Sequence, residues 1–351
     1  MPSQEQVLEA LRAVMDPEIG RNIVDLNMVR NIKIHKNGRV EFELALTIIG
    51  CPMKNHMAEN ARSALMRLEG VREVEIKFTE MSEEDRKAIF GNRQEQLPKI
   101  NAFNRIGQVI AVMSGKGGVG KSSITALLAT GLVRAGQKVG IMDADITGPS
   151  IPKLFGLPAG GLRGSEQGIL PAVTDLGVRA MSTNLLVANE NDAVIWRGPM
   201  IAGVIRQFWT DVLWGKLDTL LIDLPPGTSD AALTVMQTLP VNGVVLVTTP
   251  QQLAAMVVRK AMSMLTQLNI PVVSVVENMS YYPCPDNGGK PHYIFGPSHA
   301  DEIAAEAKAP VAARLPLRPE IAELGDQGKI ESILLPELEP AVQQLLERLK
   351  K

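Results

Sequence analysis

The run Ser114-Gly115-Lys116-Gly117-Gly118-Val119-Gly120-Lys121-Ser122 constrains this chain more than any other. It follows an apolar, strand-like run at 109–113 and precedes a helix-like run at 123–134. Closely spaced glycines let consecutive backbone N–H groups turn inward, and the positive end of the following helix adds to the pull on an anion. The pattern Gly-x-x-x-x-Gly-Lys-Ser between a strand and a helix is a phosphate-binding loop. Gly115, Lys116, Gly117, Gly118, Val119, Gly120, Lys121, Ser122 and Ser123 are therefore the candidate nucleotide-binding residues. Lys121 is spaced to reach the β- and γ-phosphates of a nucleoside triphosphate, and the Ser122 hydroxyl to ligate Mg²⁺.

Beyond residue 106, short apolar runs recur between helix-length segments, at 109–113, 139–142, 220–222, 244–247, 272–276 and 311–315. Near-continuous apolar strands belong to a sheet covered on both faces, and alternation with helices implies parallel βαβ units. The spacing predicts an α/β domain over 106–351, a mostly parallel sheet flanked by helices. The first 88 residues have another texture. Val7, Leu8, Leu11 and Met15 share a helical face in 4–15, residues 40–48 alternate as a strand, 57–68 suit a second helix, and Val71, Val74, Ile76 and Phe78 alternate again. A small α+β domain is expected there, followed by a polar linker at 89–105. A chain of 351 residues is long enough for two cores.

Charge and cysteine content narrow the function classes. Lys and Arg total 36 against 38 Asp and Glu, a formal net charge of −2, so no global field draws the chain onto nucleic acid or anionic lipid. Two cysteines make no disulfide framework, and the N-terminus lacks a basic start followed by an apolar block, so a cytoplasmic protein is expected. The uncharged stretch 231–258 is broken by Pro240, Asn242, Gly243, Pro250, Gln251 and Gln252, which would strand polar groups in hydrocarbon. A buried helix followed by a buried strand explains it better than a membrane span.

Two further motifs follow the phosphate loop. The run 139–142 ends in Asp143-Ala144-Asp145-Ile146-Thr147-Gly148-Pro149-Ser150, and the run 220–222 ends in Asp223-Leu224-Pro225-Pro226-Gly227-Thr228. A carboxylate just past a strand's C-terminal end, beside a phosphate site, can orient an attacking water or hold Mg²⁺ through its water shell. A lone strand-end aspartate is usually a turn or helix cap. Two in this order downstream of a phosphate loop read as ATP-hydrolysing machinery.

These motifs carry a family resemblance. Lys116, a second lysine after the first glycine, resembles the deviant Walker A loops of the MinD/ParA/nitrogenase-iron-protein superfamily; otherwise it is a solvated loop lysine. In those relatives the lysine reaches across a homodimer to the partner's nucleotide, which makes Lys116 and Lys121 catalytic candidates. By the same resemblance Asp145 positions the water with Asp143 as helper, Asp223 touches the Mg²⁺ shell, and the Gly227 N–H senses the γ-phosphate. The runs at 143–150 and 223–230, with Thr249-Pro250-Gln251, Val276-Glu277-Asn278-Met279-Ser280 and Ile294-Phe295-Gly296, resemble the Mrp/ApbC family of iron–sulfur cluster carriers over most of 105–351. That likeness implies an adenine contact for Asn278, which is otherwise a turn cap. It also implies apo iron–sulfur proteins and assembly factors as partners.

Asp16-Pro17-Glu18-Ile19, Ile23-Val24-Asp25-Leu26, Thr47 and Cys51-Pro52 resemble the small domain of iron–sulfur assembly factors. Cys51 precedes a helix whose positive end would lower a thiol's pKa; the other reading is a buried, inert cysteine. The family carries Cys-x-x-Cys after Glu-Asn-Met-Ser, so that a dimer offers four thiolates to one cluster. Here Cys284 fills the first position and Asn287 the second, and an amide oxygen is a poor ligand for iron in a sulfide cluster. Three arrangements stay open: two Cys284 thiolates completed by an external thiol or His292, a site shared with Cys51, or a loop that holds no metal. His35, His56 and His299 lack zinc-site spacing. The rival functions are a ParA/MinD-like spatial organiser and an ATPase scaffold that holds no cluster. The C-terminal helix, with Val342, Leu345, Leu346 and Leu349 on one face, is too short and acidic to favour a membrane.

Overall fold

In the computed structural model, residues 2–16, 21–46, 54–81, 98–187, 198–285 and 288–350 are described. Contacts divide the chain into two compact units, Met1–Gln96 and Leu97–Lys351.

The first unit opens with α1 (Gln4–Leu11), started by a capping box in which the Gln6 N–H donates to Ser3 Oγ at 3.2 Å and the Ser3 N–H to Gln6 Oε1 at 2.8 Å. Strands β1 (Val29–Ile34) and β2 (Arg39–Leu46) pair antiparallel. Their turn needs Gly38, whose φ is +86° and whose absent Cβ would lie 2.7 Å from the Gly70 carbonyl oxygen. Helix α2 (Lys54–Met66) then returns the chain to β3 (Glu73–Glu80), parallel to β2. Val7, Leu11, Phe42, Leu44, Met57, Ala61 and Leu65 form the core between helices and sheet. Two expectations shift here. The helix ends at Leu11, leaving Val14 buried while Met15 is 49% exposed; Phe78 shares the covered face with Val74 and Ile76 but sits near the end of the edge strand β3, 39% exposed with Lys54 of α2 over its ring.

The second unit is built on β4 (Arg105–Ser114), α3 (Lys121–Arg134), β5 (Val139–Asp143) and the short α4 (Ile151–Leu154). A small excursion follows: β6 (Arg163–Ser165), β7 (Gly168–Leu170), β8 (Ala172–Val173), β9 (Arg179–Met181) and α5 (Gly198–Thr210). Alternation resumes with β10 (Lys216–Asp223), α6 (Asp230–Thr238), β11 (Gly243–Thr248), α7 (Gln252–Gln267) and β12 (Val272–Pro283). The chain closes with β13 (Pro291–His292), α8 (Ala300–Ala307), β14 (Val311–Pro316), α9 (Pro319–Asp326) and α10 (Glu339–Leu349).

The sheet order is β13-β12-β11-β4-β10-β5-β9-β8, with β14 also on β12; β8 and β13 run antiparallel and the rest parallel. Side chains of β4 alternate between two cores. Val109, Ala111 and Met113 join the face covered by α5, α6 and α7, while Ile110 and Val112 join the face covered by α3 and α10. The apolar face of α10 is consumed in this packing: Ala341, Val342 and Leu345 are buried, and Val342 fills the space a Cβ on Gly131 would need. No described helix is long and apolar enough to cross a membrane. Because β4, β10, β5, β11 and β12 are parallel, their C-terminal ends share one edge, where ligands of open α/β sheets bind.

Candidate functional site

The phosphate loop leaves β4 at Ser114, and the Gly227 N–H holds that end by donating to the Ser114 carbonyl at 2.9 Å. Gly118 and Gly120 both have φ +78°. At Gly120 a Cβ would come within 2.4 Å of the Asn278 Nδ2, so only glycine fits. Among the described residues, no carbonyl accepts from the N–H groups of Gly117, Gly118, Val119 or Gly120. With the unpaired first-turn donors of α3 they leave a run of amides free to bind an anion. Ser114, Lys116, Gly117, Gly118, Val119, Gly120, Lys121, Ser122, Ser123, Asp145 and Pro226 line a cleft of about 260 Å³ there. A larger depression of about 450 Å³ lies in the first unit among Pro2, Gln6, Leu68, Glu69 and Gly70. Its one acidic side chain and lack of cationic donors give it no comparable chemistry.

Behind the loop, Asp223 is fully buried and gathers three donors. Lys121 Nζ lies 2.7 Å from Oδ1, Ser122 Oγ donates to Oδ2 at 2.5 Å, and Thr125 Oγ1 donates to Oδ1 at 2.8 Å. Lys121 itself is 6% exposed. A buried carboxylate needs such partners, since its bare desolvation would cost several kcal/mol. The Asp223 carboxylate and Ser122 hydroxyl are hard oxygen donors side by side, the set Mg²⁺ prefers. Thr125 gave no signal in the sequence beyond its place one helical turn after Lys121.

Asp143 is also fully buried. Its carboxylate accepts from the N–H groups of Asp145 at 3.2 Å, Ser150 at 3.2 Å and Ile151 at 3.3 Å, and from Ser182 Oγ at 3.0 Å. It thus ties down the 145–151 turn from beneath. Burial, and then the charge of Asp223, push its pKa up to about 8 against the opposing effect of Lys121 and those donors. Asp145 is half-exposed on the cleft wall, and its Oδ1 accepts from the Gly148 N–H at 3.2 Å and from Thr147 Oγ1 at 3.4 Å. Ser182 arrives from the end of β9, an element too short to read in the sequence.

Asn278 sits on β12 behind the loop, 6% exposed, with Nδ2 donating to the Val119 carbonyl at 2.9 Å. Next to it Met279 takes a left-handed φ of +55°, and the buried Glu277 accepts from Ser298 Oγ at 2.9 Å and from Ser280 Oγ. The strand continues to Pro283, so Cys284 begins the loop at its tip. That cysteine is a half-buried free thiol, with its N–H on the Lys290 carbonyl at 3.3 Å; Tyr282 pairs with His292 beside it. Cys51 and Asn287 lie outside the described residues, as do Pro17, Glu18, Ile19 and Thr47. His35 and His299 face Glu41 and Glu302 at 3.2 and 3.5 Å, and His56 contacts Asn60. Among the described residues no three His, Cys, Asp or Glu side chains group to hold a metal.

Lys116 lines the cleft, but its ammonium is turned to a partner of its own subunit. Its ammonium donates to Oε1 of Gln251, in the turn after β11.

A family profile described as NUBPL iron-transfer P-loop NTPase matches residues 105–350, and one described as iron–sulfur cluster assembly protein matches residues 4–78. The chain is 38% identical over 331 residues to the iron–sulfur cluster carrier protein of a Synechocystis species, covering 93% of this chain and 91% of that protein. Among solved structures it is similar to a nucleotide-binding protein from Archaeoglobus fulgidus in complex with ADP, at 46% identity and TM-score 0.60, over 70% of this chain and 93% of that one. Its fold is also that of the cell-division ATPase MinD from Pyrococcus furiosus, at 22% identity and TM-score 0.51, over 70% of this chain and 98% of that one.

Proposed function

Because the chain belongs to the NUBPL iron-transfer P-loop NTPase family, with an iron–sulfur assembly domain matched ahead of it, we propose that it is an ATP-hydrolysing carrier of iron–sulfur clusters. It works as a homodimer that passes clusters to apoproteins in the cytoplasm. The observation that carries this reading is the continuity of β12. Midway along, the strand touches the phosphate loop through Asn278, and its tip leads into the Cys284 thiol.

In this reading the amides of residues 117–123 bind the triphosphate, and Lys121 leaves Asp223 to neutralise the β- and γ-phosphates. Ser122 and, through water, Asp223 would hold Mg²⁺, which when bound offsets phosphate charge. Asp145 orients the water, aided by Asp143 beneath the turn. The water oxygen bonds to the γ-phosphorus, the bridging bond to the β-phosphate breaks, and ADP and phosphate leave. Lys116 of each subunit reaches the other's nucleotide. The Gly227 N–H exchanges the Ser114 carbonyl for the γ-phosphate and so senses its loss, and Asn278, which also contacts the base, passes the change along β12 to Cys284. The cluster is the cargo. With Asn287 at the family's second cysteine position, two Cys284 thiolates from a dimer need further ligands.

The spatial-organiser reading finds less support, since the apolar face of α10 is packed in the core. Anaerobic reconstitution with iron and sulfide, counting iron per dimer in wild type, Cys51→Ala and Cys284→Ala, tests the carrier. Loss of iron in Cys284→Ala with ATP hydrolysis retained is expected. A wild type that hydrolyses ATP but takes up no iron would make the protein a scaffold.

A further inference from the structure

The two lysines of the phosphate loop are held by partners of different kinds. Lys121 is buried on a carboxylate. Lys116 is half-buried on the neutral amide of Gln251, and among the described residues no carboxylate lies within ion-pair reach of it. An ammonium–amide hydrogen bond is directional but far weaker than an ion pair with a triphosphate, so it holds the lysine in a way that ATP can undo.

Gln251 is placed for this and for nothing local. Val247 of β11 sits beside Ser114 of β4, so Lys116 and the turn Thr249-Pro250-Gln251 leave the same edge of adjacent strands. Gln251 occupies the N-cap of α7, with φ −64° and ψ 132°, where a short Ser, Asp or Asn side chain normally caps the helix. Its side chain makes no capping bond and turns to Lys116 instead. On the other side, Ser114 Oγ donates to the Lys116 carbonyl at 3.0 Å, which fixes the lysine's backbone. The lysine is thus stowed along its own subunit.

We propose that Gln251 is a positioning residue that stows Lys116 within its own subunit and so sets the protein concentration at which the ATP-bound dimer forms. This rests on the reading that Lys116 acts across the dimer. Every dimer must first break two Lys116–Gln251 bonds, so the stowed state competes directly with assembly.

Specific ATPase activity measured against protein concentration, at saturating Mg-ATP, tests it. Gln251→Ala removes the acceptor and should shift the midpoint of that curve to lower concentration, by roughly a hundredfold for two bonds to a charged group. Gln251→Glu turns the acceptor into an anion and should shift the midpoint the opposite way. Opposite shifts are the signature, because damage to the turn would move both variants together. Two shifts of the same sign, or neither shifting in folded protein, would overturn the proposal. A raised KM for ATP with an unmoved midpoint would overturn it too, making Gln251 a nucleotide contact. Lys116→Ala separates the premise: wild-type turnover in that variant would refute the trans lysine itself, whereas lost turnover with unmoved Gln251 variants refutes only the stowing.

Discussion

At the scale of single residues, the site is organised around two buried carboxylates with different tasks. Asp223 is an ion-pair partner, so Lys121 serves stability whatever else it does. Lys121→Ala should abolish hydrolysis and also cost about 3 kcal/mol by leaving Asp223 buried without its cation. Adding Asp223→Asn should restore much of the melting temperature and none of the turnover; equal melting temperatures in the single and double variants would contradict that assignment. Asp143 is a titratable support. Its ordinary value of 3.8 is raised to about 8 in the fold, so between those limits the native state holds a proton that the unfolded chain releases. Unfolding free energy therefore falls as pH rises through that window. Melting curves without nucleotide should lose stability from pH 5 to pH 8, and Asp143→Asn should flatten the slope. An unchanged slope in the variant would place the titration elsewhere. The roles of Asp143 and Asp223 as strand-end carboxylates were readable in the sequence, but Thr125 and Ser182 were not. They lie 98 and 39 positions from the aspartates they serve, and only the sheet brings them there.

At the scale of elements, legibility followed burial. Strands β4, β5, β10, β11 and β14 sit inside a parallel sheet with helices on both faces, so their sequences are near-continuous apolar runs and could be located by eye. Strand β12 was readable only to Val276, because Glu277, Asn278 and Ser280 look like the end of a strand. They are polar because they bind inward, to Ser298, the phosphate loop and each other. That misreading hid the extension that carries the chain to Cys284. Strands β1, β6, β7, β8 and β9 lacked a signal for another reason: they are short or half-exposed, and no run of apolar residues marks them. The contact between β12 and the loop makes its own prediction. Gly120→Ala meets both a left-handed φ, at roughly 1–2 kcal/mol, and the Asn278 amide. It should lose ATP affinity by calorimetry while Gly136→Ala, also at positive φ but in open space, keeps it. Equal affinity in the two variants would mean the loop does not need this close approach.

At the scale of the whole molecule, two cores share one chain. Residues 98–104 already belong to the second: Trp209 Nε1 donates to the Pro98 carbonyl at 2.9 Å, Asn101 Nδ2 to the Gln167 carbonyl at 3.1 Å, and Asn104 Nδ2 to the Val212 carbonyl at 2.7 Å. A fragment of residues 97–351 should therefore fold and hydrolyse ATP by itself, whereas one beginning at 106 should be less stable; failure of both would tie the ATPase to the first unit. The central claim is that nucleotide state at the phosphate loop, which β12 touches midway, governs the grip on metal at the strand's tip. Stopped-flow transfer of iron from anaerobically reconstituted protein to an apo iron–sulfur acceptor tests it most directly, with Mg-ATP, with Mg-ADP and in Lys121→Ala. The expected result is a transfer rate that differs several-fold between ATP and ADP in the wild type and becomes nucleotide-blind in the variant. A loaded wild type that transfers iron at one rate whatever nucleotide is present would contradict the account.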